Sequence, residues 1–571
     1  MQLFQFFSYI FLLALPVSAQ SSTQPTVKTL NGTYAGTFLP TFNQDFFGGI
    51  PYAQPSRRFV PAQSLNEQFS EVKQALNYSV GCVGIGAEDI GYVQGEDCLT
   101  VNVIRPTGVK PGQGLPVLVW IHGGAYVMGS SDNIRYNGSF NVQRSVNMSK
   151  PIIFASFNYR LTAYGFPVGD EPRQAGLLNL GLKDQRLALH WINENIAAFG
   201  GDPSKVTIQG ESAGGSSVFQ HMLAFGGRND HLFRSGASLL SSRFHLNNVD
   251  FPPVIAESGY WAPLMASNRA AIYNATWNRL LSITNCSDIA CLQALPLSTF
   301  NASVARVGSG AFNPVVDGDF IKVDPAGQVS DGEFVKVPLI VGGESASNSD
   351  EGTMFLTRGI NFDSDLVNAI LARNSTDYAL TSAADVQQIL QLYPDDPAQG
   401  VPIGTGDGIL STGFQDKRSG AFFGDAVMVG PRRAFAQANA KGAATFSYRF
   451  NQPPYHFSID IGATHFAEIA YVFNDRNNNT ALPSNQPLGP RVIDAELALL
   501  MSSMWISFTH DQTPNNNLVA GAPVWPSYGP SGGQHIVFQG FGSGSSIEND
   551  NFREAGIAFI NQKTAEVAKA L

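Results

Sequence analysis

The stretch VTIQGESAGGSSVFQ, Val206 to Gln220, decides how the rest of this chain is read. A short β-branched run ends at Gly210, and Ser212 stands between Gly210 and Gly214. A helix-like segment follows. A strand that turns directly into a helix must reverse at Ser212 itself, and only small residues tolerate the close backbone approach on either side. Such a turn exposes the serine Oγ at the carboxyl end of a sheet. It also puts a helix N-terminus behind the Oγ and the Ala213 amide where negative charge would develop.

Working outward, LPVLVWI from Leu115, IIFASFNYR from Ile152, VPLIV from Val337 and TFSYRF from Thr445 are short apolar runs of the same kind. Runs of this length ending at Gly, Ser or Asn fit a parallel sheet buried on both faces. Between the second run and Val206, the segment GLKDQRLALHWINENIAAFGGDP places Leu182, Leu189, Ile192 and Ile196 on one helical face, and Gly200, Gly201 and Pro203 stop it. Strands alternating with helices predict an α/β fold with right-handed crossovers. Neither an internal repeat nor a domain-separating linker is evident. The expectation is therefore one domain over 20–571, with helical insertions around 250–301 and 363–433.

A serine hydroxyl needs a general base and a group to orient that base. The chain has 9 histidines. In the order serine, acid, histidine, the acid is expected after the Val337 run and the base after the Thr445 run. Position leaves Glu344, Asp350 or Glu351 as the acid and His456 or His465 as the base. WIHGGAYVMG, following the Leu115 run, offers glycine amides for an oxyanion. Neither glycine-rich segment is followed by the Gly-Lys-Ser/Thr of a phosphate loop. His465 and Glu468 form an H-x-x-E pair but lack a third ligand at metal-binding spacing. No metal or cofactor is expected.

The N-terminal apolar run from Phe6 to Leu15, followed by Val17-Ser18-Ala19, reads as a secretory signal over 1–19. No stable membrane anchor is expected. Cys82, Cys98, Cys286 and Cys291 allow three pairings in an exported chain, of which the two local ones are favoured. N-x-S/T sequons at Asn31, Asn77, Asn137, Asn147, Asn274, Asn285, Asn301, Asn374 and Asn478 fit a glycosylated surface. Charged residues make up only 14%, and the net charge is −10, which argues against nucleic acid and anionic membrane as partners. Oligomeric state is not legible.

EDCLTVNVIRP from Glu96, WIHGGAYVMG, the long segment from Gly181 through GESAGG, SDEGTMF, GATHFAEIAYVF and VWPSY near Trp525 carry a resemblance. Together they resemble the type-B carboxylesterase/lipase family of α/β-hydrolases, which includes cholinesterases, secreted fungal lipases and sterol esterases. The resemblance implies an α/β-hydrolase fold, a large mostly parallel central sheet flanked by helices, and a secreted serine carboxylesterase acting on a small-molecule ester. It assigns Ser212 as nucleophile, Glu351 as acid, His465 as base, and Gly124, Ala125 and Ala213 as oxyanion donors. Cys82–Cys98 and Cys286–Cys291 match the family's disulfide positions.

This sequence departs from the family pattern in two places. Ala125 stands where the family has a third glycine, and GGESASNSDEGT is about three residues longer than usual, which keeps Glu344 as an alternative acid. The family's lipases carry a long lid between the first two cysteines. The short VGIGAEDIGYVQGED here implies small to medium soluble esters. The alternatives are a lipase or sterol esterase on long-chain esters and, from a different class, a non-catalytic binding homologue.

Overall fold

Apolar runs too short for helices pair side by side in the computed structural model, which describes residues 24–233, 253–259, 269–343, 352–373, 380, 382–403, 405–455, 462–475 and 488–570. The proposed signal over 1–19 lies outside them. Among the described residues eleven strands form one sheet: β1 Thr37–Leu39, β2 Gln44–Pro51, β3 Thr100–Pro106, β4 Leu115–Ile121, β5 Ile153–Phe157, β6 Gly201–Glu211, β7 Val254–Glu257, β8 Leu339–Gly343, β9 Thr445–Phe450, β10 Gln534–Phe538 and β11 Ser546–Asn549. Their spatial order is β11-β10-β9-β8-β7-β6-β4-β5-β3-β2-β1. From β5 across to β10 every neighbouring pair is parallel, and the two margins are antiparallel. Parallel strands need crossovers, and helices on both faces supply them.

The five runs read from the sequence are β4, β5, β6, β8 and β9. One expectation needs correction. The stretch 250–301 begins with a strand, β7, which lies between β6 and β8 in the middle of the sheet, with Ile208 opposite Val254 and Glu211 opposite Glu257. Helices at Arg269–Thr284, Ile289–Ala294 and Leu297–Val307 follow. Within 363–433, helices span Asp363–Arg373, Ala383–Leu392 and Asp416–Gly424. They gather Leu366, Ile370, Ile389, Phe422 and Phe423 into a separate apolar cluster.

Helix α1, Leu180–Asn195, buries Leu182, Leu189 and Ile192 on one sheet face, and Gly200 ends the following turn at φ 93°. At its start Asp184 accepts from Arg160 Nε at 2.7 Å and Nη2 at 2.6 Å. Both side chains are buried, and the planar guanidinium matches the carboxylate bidentately. Helix α2, Ala213–Gly227, packs on the same face. The opposite face is covered by α3, Val492–Asp511, whose Met501, Met504, Trp505 and Phe508 are fully buried. By length and composition α3 could cross a membrane, but most of it is buried inside the protein as a core helix. Both local disulfides, Cys82–Cys98 and Cys286–Cys291, are formed.

Candidate active site

β6 runs out at Glu211, and Ser212 takes φ 55° and ψ −121° before α2 begins. A non-glycine residue in such a region costs of order 1–3 kcal/mol and persists only where its surroundings fix it. Two bonds do so here: Ser212 N donates to the Glu257 carbonyl at 2.9 Å, and Ser216 N donates to the Ser212 carbonyl at 2.8 Å. The glycines on either side are required by space. A Cβ on Gly214 would stand 2.0 Å from the Ile121 carbonyl oxygen, and one on Gly210 would stand 2.5 Å from the Gly214 backbone.

His465, in the connection after β9, brings Nε2 to 2.9 Å from Ser212 Oγ, although the two residues are 253 positions apart. The same nitrogen is 3.3 Å from Glu211 Oε1. The Phe355 ring meets the imidazole edge-on at 5.7 Å, and Thr353 Oγ1 lies 3.2 Å from Thr464 Oγ1. The residues following Glu351 therefore run beside His465. Glu351 itself, the alternatives Glu344 and Asp350, and His456 all lie outside the described residues.

The glycine turn after β4 lies against the serine, since a Cβ on Gly123 would come within 3.2 Å of Ser212 Cβ. Gly124 at φ 98°, Ala125 at 55° and Tyr126 at 60° are consecutive left-handed residues. The Gly124 carbonyl accepts from Val127 N at 2.9 Å and Met128 N at 3.1 Å. His122 beneath the turn is buried and stacks on Tyr159 with ring centroids 4.4 Å apart. Burial pushes its imidazole down to about 4 against the opposing bond to the Gly123 carbonyl, so it is neutral near pH 7. The Ala213 amide is in the first turn of α2, where N–H groups have no intrahelical acceptor and the helix dipole is positive. A hydroxyl bonded to an imidazole, beside amides of this kind, can attack a carbonyl and hold the oxyanion that results.

Among the described residues, the buried carboxyl groups of Glu211, Glu257 and Glu468 lie behind the serine. Glu257 accepts from Gln209 Nε2 at 3.0 and 3.1 Å and from Trp505 Nε1 at 2.5 Å. Burial, with the neighbouring Glu468 charge adding to it, pushes the Glu257 carboxyl well above the ordinary range despite those bonds. Glu468 lies near Ser258 Oγ at 3.3 Å and Tyr448 OH at 3.4 Å, so the H-x-x-E spacing directs its two side chains to different partners. Sequence reasoning overlooked Glu257. The signal was a charged residue closing the apolar run VIAE.

The sequons differ in presentation. Asn77, Asn147 and Asn285 are exposed, whereas Asn31, Asn137, Asn274 and Asn301 are half-buried. Asn31 Nδ2 donates to the Leu65 carbonyl at 3.0 Å and the Glu67 carbonyl at 3.1 Å. Asn274 Nδ2 donates to Asp170 Oδ2 at 2.6 Å. Asn374 and Asn478 lie outside the described residues.

The parallel sheet with its strand-to-helix turn at a serine is the α/β-hydrolase fold, shared with the crystal structure of EstA from Aspergillus niger. That structure has a TM-score of 0.78 and 26% identity over 95% of this chain and 99% of that one. The chain belongs to the carboxylesterase family, whose model matches residues 23–543. It is 31% identical to Lipase 4 of Diutina rugosa over 95% of this chain and 97% of that protein. It is 30% identical to Secreted lipase 1 of Botryotinia fuckeliana over 90% and 88% respectively. The protein is a carboxylic ester hydrolase.

Proposed function

We propose that this protein is a secreted serine carboxylesterase in which Ser212 is the nucleophile, His465 the general base and Glu351 the group that orients it. The observation that carries the reading is the 2.9 Å contact of His465 Nε2 with Ser212 Oγ at a strained turn. His465 takes the Ser212 proton as Oγ attacks the ester carbonyl. The amides of Gly124, Ala125 and Ala213 receive the oxyanion, each donor lowering the barrier by about 3 kcal/mol. Collapse expels the alcohol, protonated by His465, and leaves an acyl-enzyme. Water then repeats the sequence and releases the acid.

Glu211, 3.3 Å from His465 Nε2, places a buried carboxyl group beside the imidazolium formed during each step. Assignment of the acid to Glu351 is supported by the Thr353 to Thr464 contact and by the Phe355 ring on His465. The short Cys82–Cys98 loop favours small to medium soluble esters. A lipase acting on long-chain esters is the second reading, favoured by the names of relatives aligned over nearly the whole chain. Secretion, with 1–19 as the signal, fits the two disulfides and the relative named a secreted lipase.

Hydrolysis of p-nitrophenyl esters over a series of acyl lengths, by the wild type and Ser212→Ala, tests the reading. Turnover strongest on short chains and abolished in the variant is the expected result. Preference for emulsified long-chain esters transfers the protein to the lipase reading, and turnover that survives Ser212→Ala rejects the mechanism.

A further inference from the structure

The Cys82–Cys98 loop is fastened to the turn that carries Gly124 and Ala125. Ile85 N donates to the Val127 carbonyl at 2.7 Å, and Asp89 Oδ1 accepts from Gly129 N at 2.9 Å. Glu88 pairs with Arg135 at 2.8 Å, and the Arg135 guanidinium lies 4.4 Å above the ring of Phe466, the neighbour of His465. Two loop glycines permit the approach. A Cβ on Gly84 would stand 2.6 Å from Asp89 Oδ2 and 3.0 Å from the Val127 carbonyl oxygen, and one on Gly86 would stand 2.1 Å from Met128 Sδ. Met128 in turn presses on Gly124, where a Cβ would stand 2.2 Å from the Met128 carbonyl oxygen. Loop, Met128 and Gly124 thus form one unbroken stack.

The turn needs such support. Ala125 and Tyr126 both carry side chains at positive φ, a conformation kept only when neighbouring structure over-determines it. From inside the fold Thr162 N holds the Tyr126 carbonyl at 2.8 Å. From outside, Asp89 and Ile85 hold the far end of the turn.

We propose that the Cys82–Cys98 loop is a fixed brace for the oxyanion turn, with Asp89 as its positioning residue. Its carboxylate fixes the Gly129 N–H and thereby the backbone that presents the Gly124 and Ala125 amides. The brace rests on the reading of those amides as oxyanion donors. It separates this loop from a lid, because a lid must let go of the turn whereas a brace must not.

The test measures kcat and KM on p-nitrophenyl acetate, together with affinity for an alkyl trifluoromethyl ketone, which forms an oxyanion with the active serine. Wild type, Asp89→Ala, Asp89→Asn and Ser212→Ala are compared. Asp89→Ala is expected to lower kcat roughly tenfold, less than outright loss of a donor, and to weaken the ketone in proportion while KM stays within about twofold. Asp89→Asn keeps an acceptor oxygen for Gly129 N and is expected to retain most of the activity. If Asp89→Ala does not fold, Asp89→Ser, whose hydroxyl is too short to reach Gly129 N, is read in its place. Unchanged kcat and ketone affinity, a change in KM alone, or equal losses in the alanine and asparagine variants overturns the brace. Activity surviving in Ser212→Ala removes the catalytic reading itself and the brace with it.

Discussion

Replacing Gly214 by alanine adds one methyl group at the tightest point of the strand-to-helix turn. The new Cβ would meet the Ile121 carbonyl oxygen at 2.0 Å, about 1.4 Å short of ordinary contact, and the Ile121 carbon at 3.0 Å. Neither obstacle is a flexible side chain. Ile121 ends β4 in the middle of the sheet, paired through its register with Gly210, so the start of α2 must move instead. Ser212 opens that helix, and its 2.9 Å bond to His465 does not survive a shift of 1 Å or more. Overpacking of this kind costs about 1–3 kcal/mol of stability, and a 1 Å misplacement of a reacting group costs about 10²-fold in rate. Gly310→Ala is the control, because that position has open space and no positive φ. Steady-state kinetics and denaturant unfolding of both variants are the assay. A Gly214→Ala protein with wild-type kcat and stability would refute the claim that close approach dictates glycine here.

Three further outcomes are expected. Glu351→Gln is expected to lower kcat by about 10³–10⁴ through loss of the correct imidazole tautomer, while Glu344→Gln stays within about threefold; the reverse pattern would move the acid to Glu344. Buried His122, held down to about 4, binds its proton in the unfolded chain first. Its stabilisation is therefore complete above pH 6.5 and is lost as pH falls toward 4. The unfolding free-energy difference between wild type and His122→Gln should shrink by about 3 kcal/mol across that window, and a constant difference contradicts the assignment. A glycosylated amide keeps one N–H, whereas Asn31 uses two in donating to Leu65 and Glu67. Mapping of the secreted protein by mass spectrometry should find Asn31 bare and glycans on exposed Asn77, Asn147 and Asn285; a glycan on Asn31 contradicts this reading.

The strands legible in the sequence were those buried on both faces, where an uninterrupted apolar run is the whole signal. β7 escaped because it is four residues long and ends in Glu257, a carboxyl group that tertiary partners on β6 and α3 accommodate. β2 hid for a similar reason. Its Gln44 and Asp45 are buried polar residues bonded from a distance, Gln44 Nε2 to the Ser139 carbonyl and Asp45 to Arg105 and Thr107, which breaks the pattern a strand would otherwise present. At the site, the serine was legible because a local turn imposes glycines at fixed spacing. By position the histidine was one of two, His456 or His465, with resemblance choosing His465, and the neighbouring carboxyl group of Glu211 gains its contact with His465 only when the fold brings the two across the sheet. Aperiodic loop sequence leaves the acid to resemblance rather than to physics.

The central claim is that Ser212 is the nucleophile activated by His465. The most direct measurement is mass spectrometry of the protein after reaction with an aryl alkylphosphonate ester, which phosphonylates an activated serine and expels the phenol. The account predicts one stoichiometric adduct on the peptide containing Ser212, loss of esterase activity in step with labelling, and no adduct in Ser212→Ala or at a reduced rate in His465→Ala. An adduct on a different residue, or full ester turnover by fully labelled protein, would contradict it.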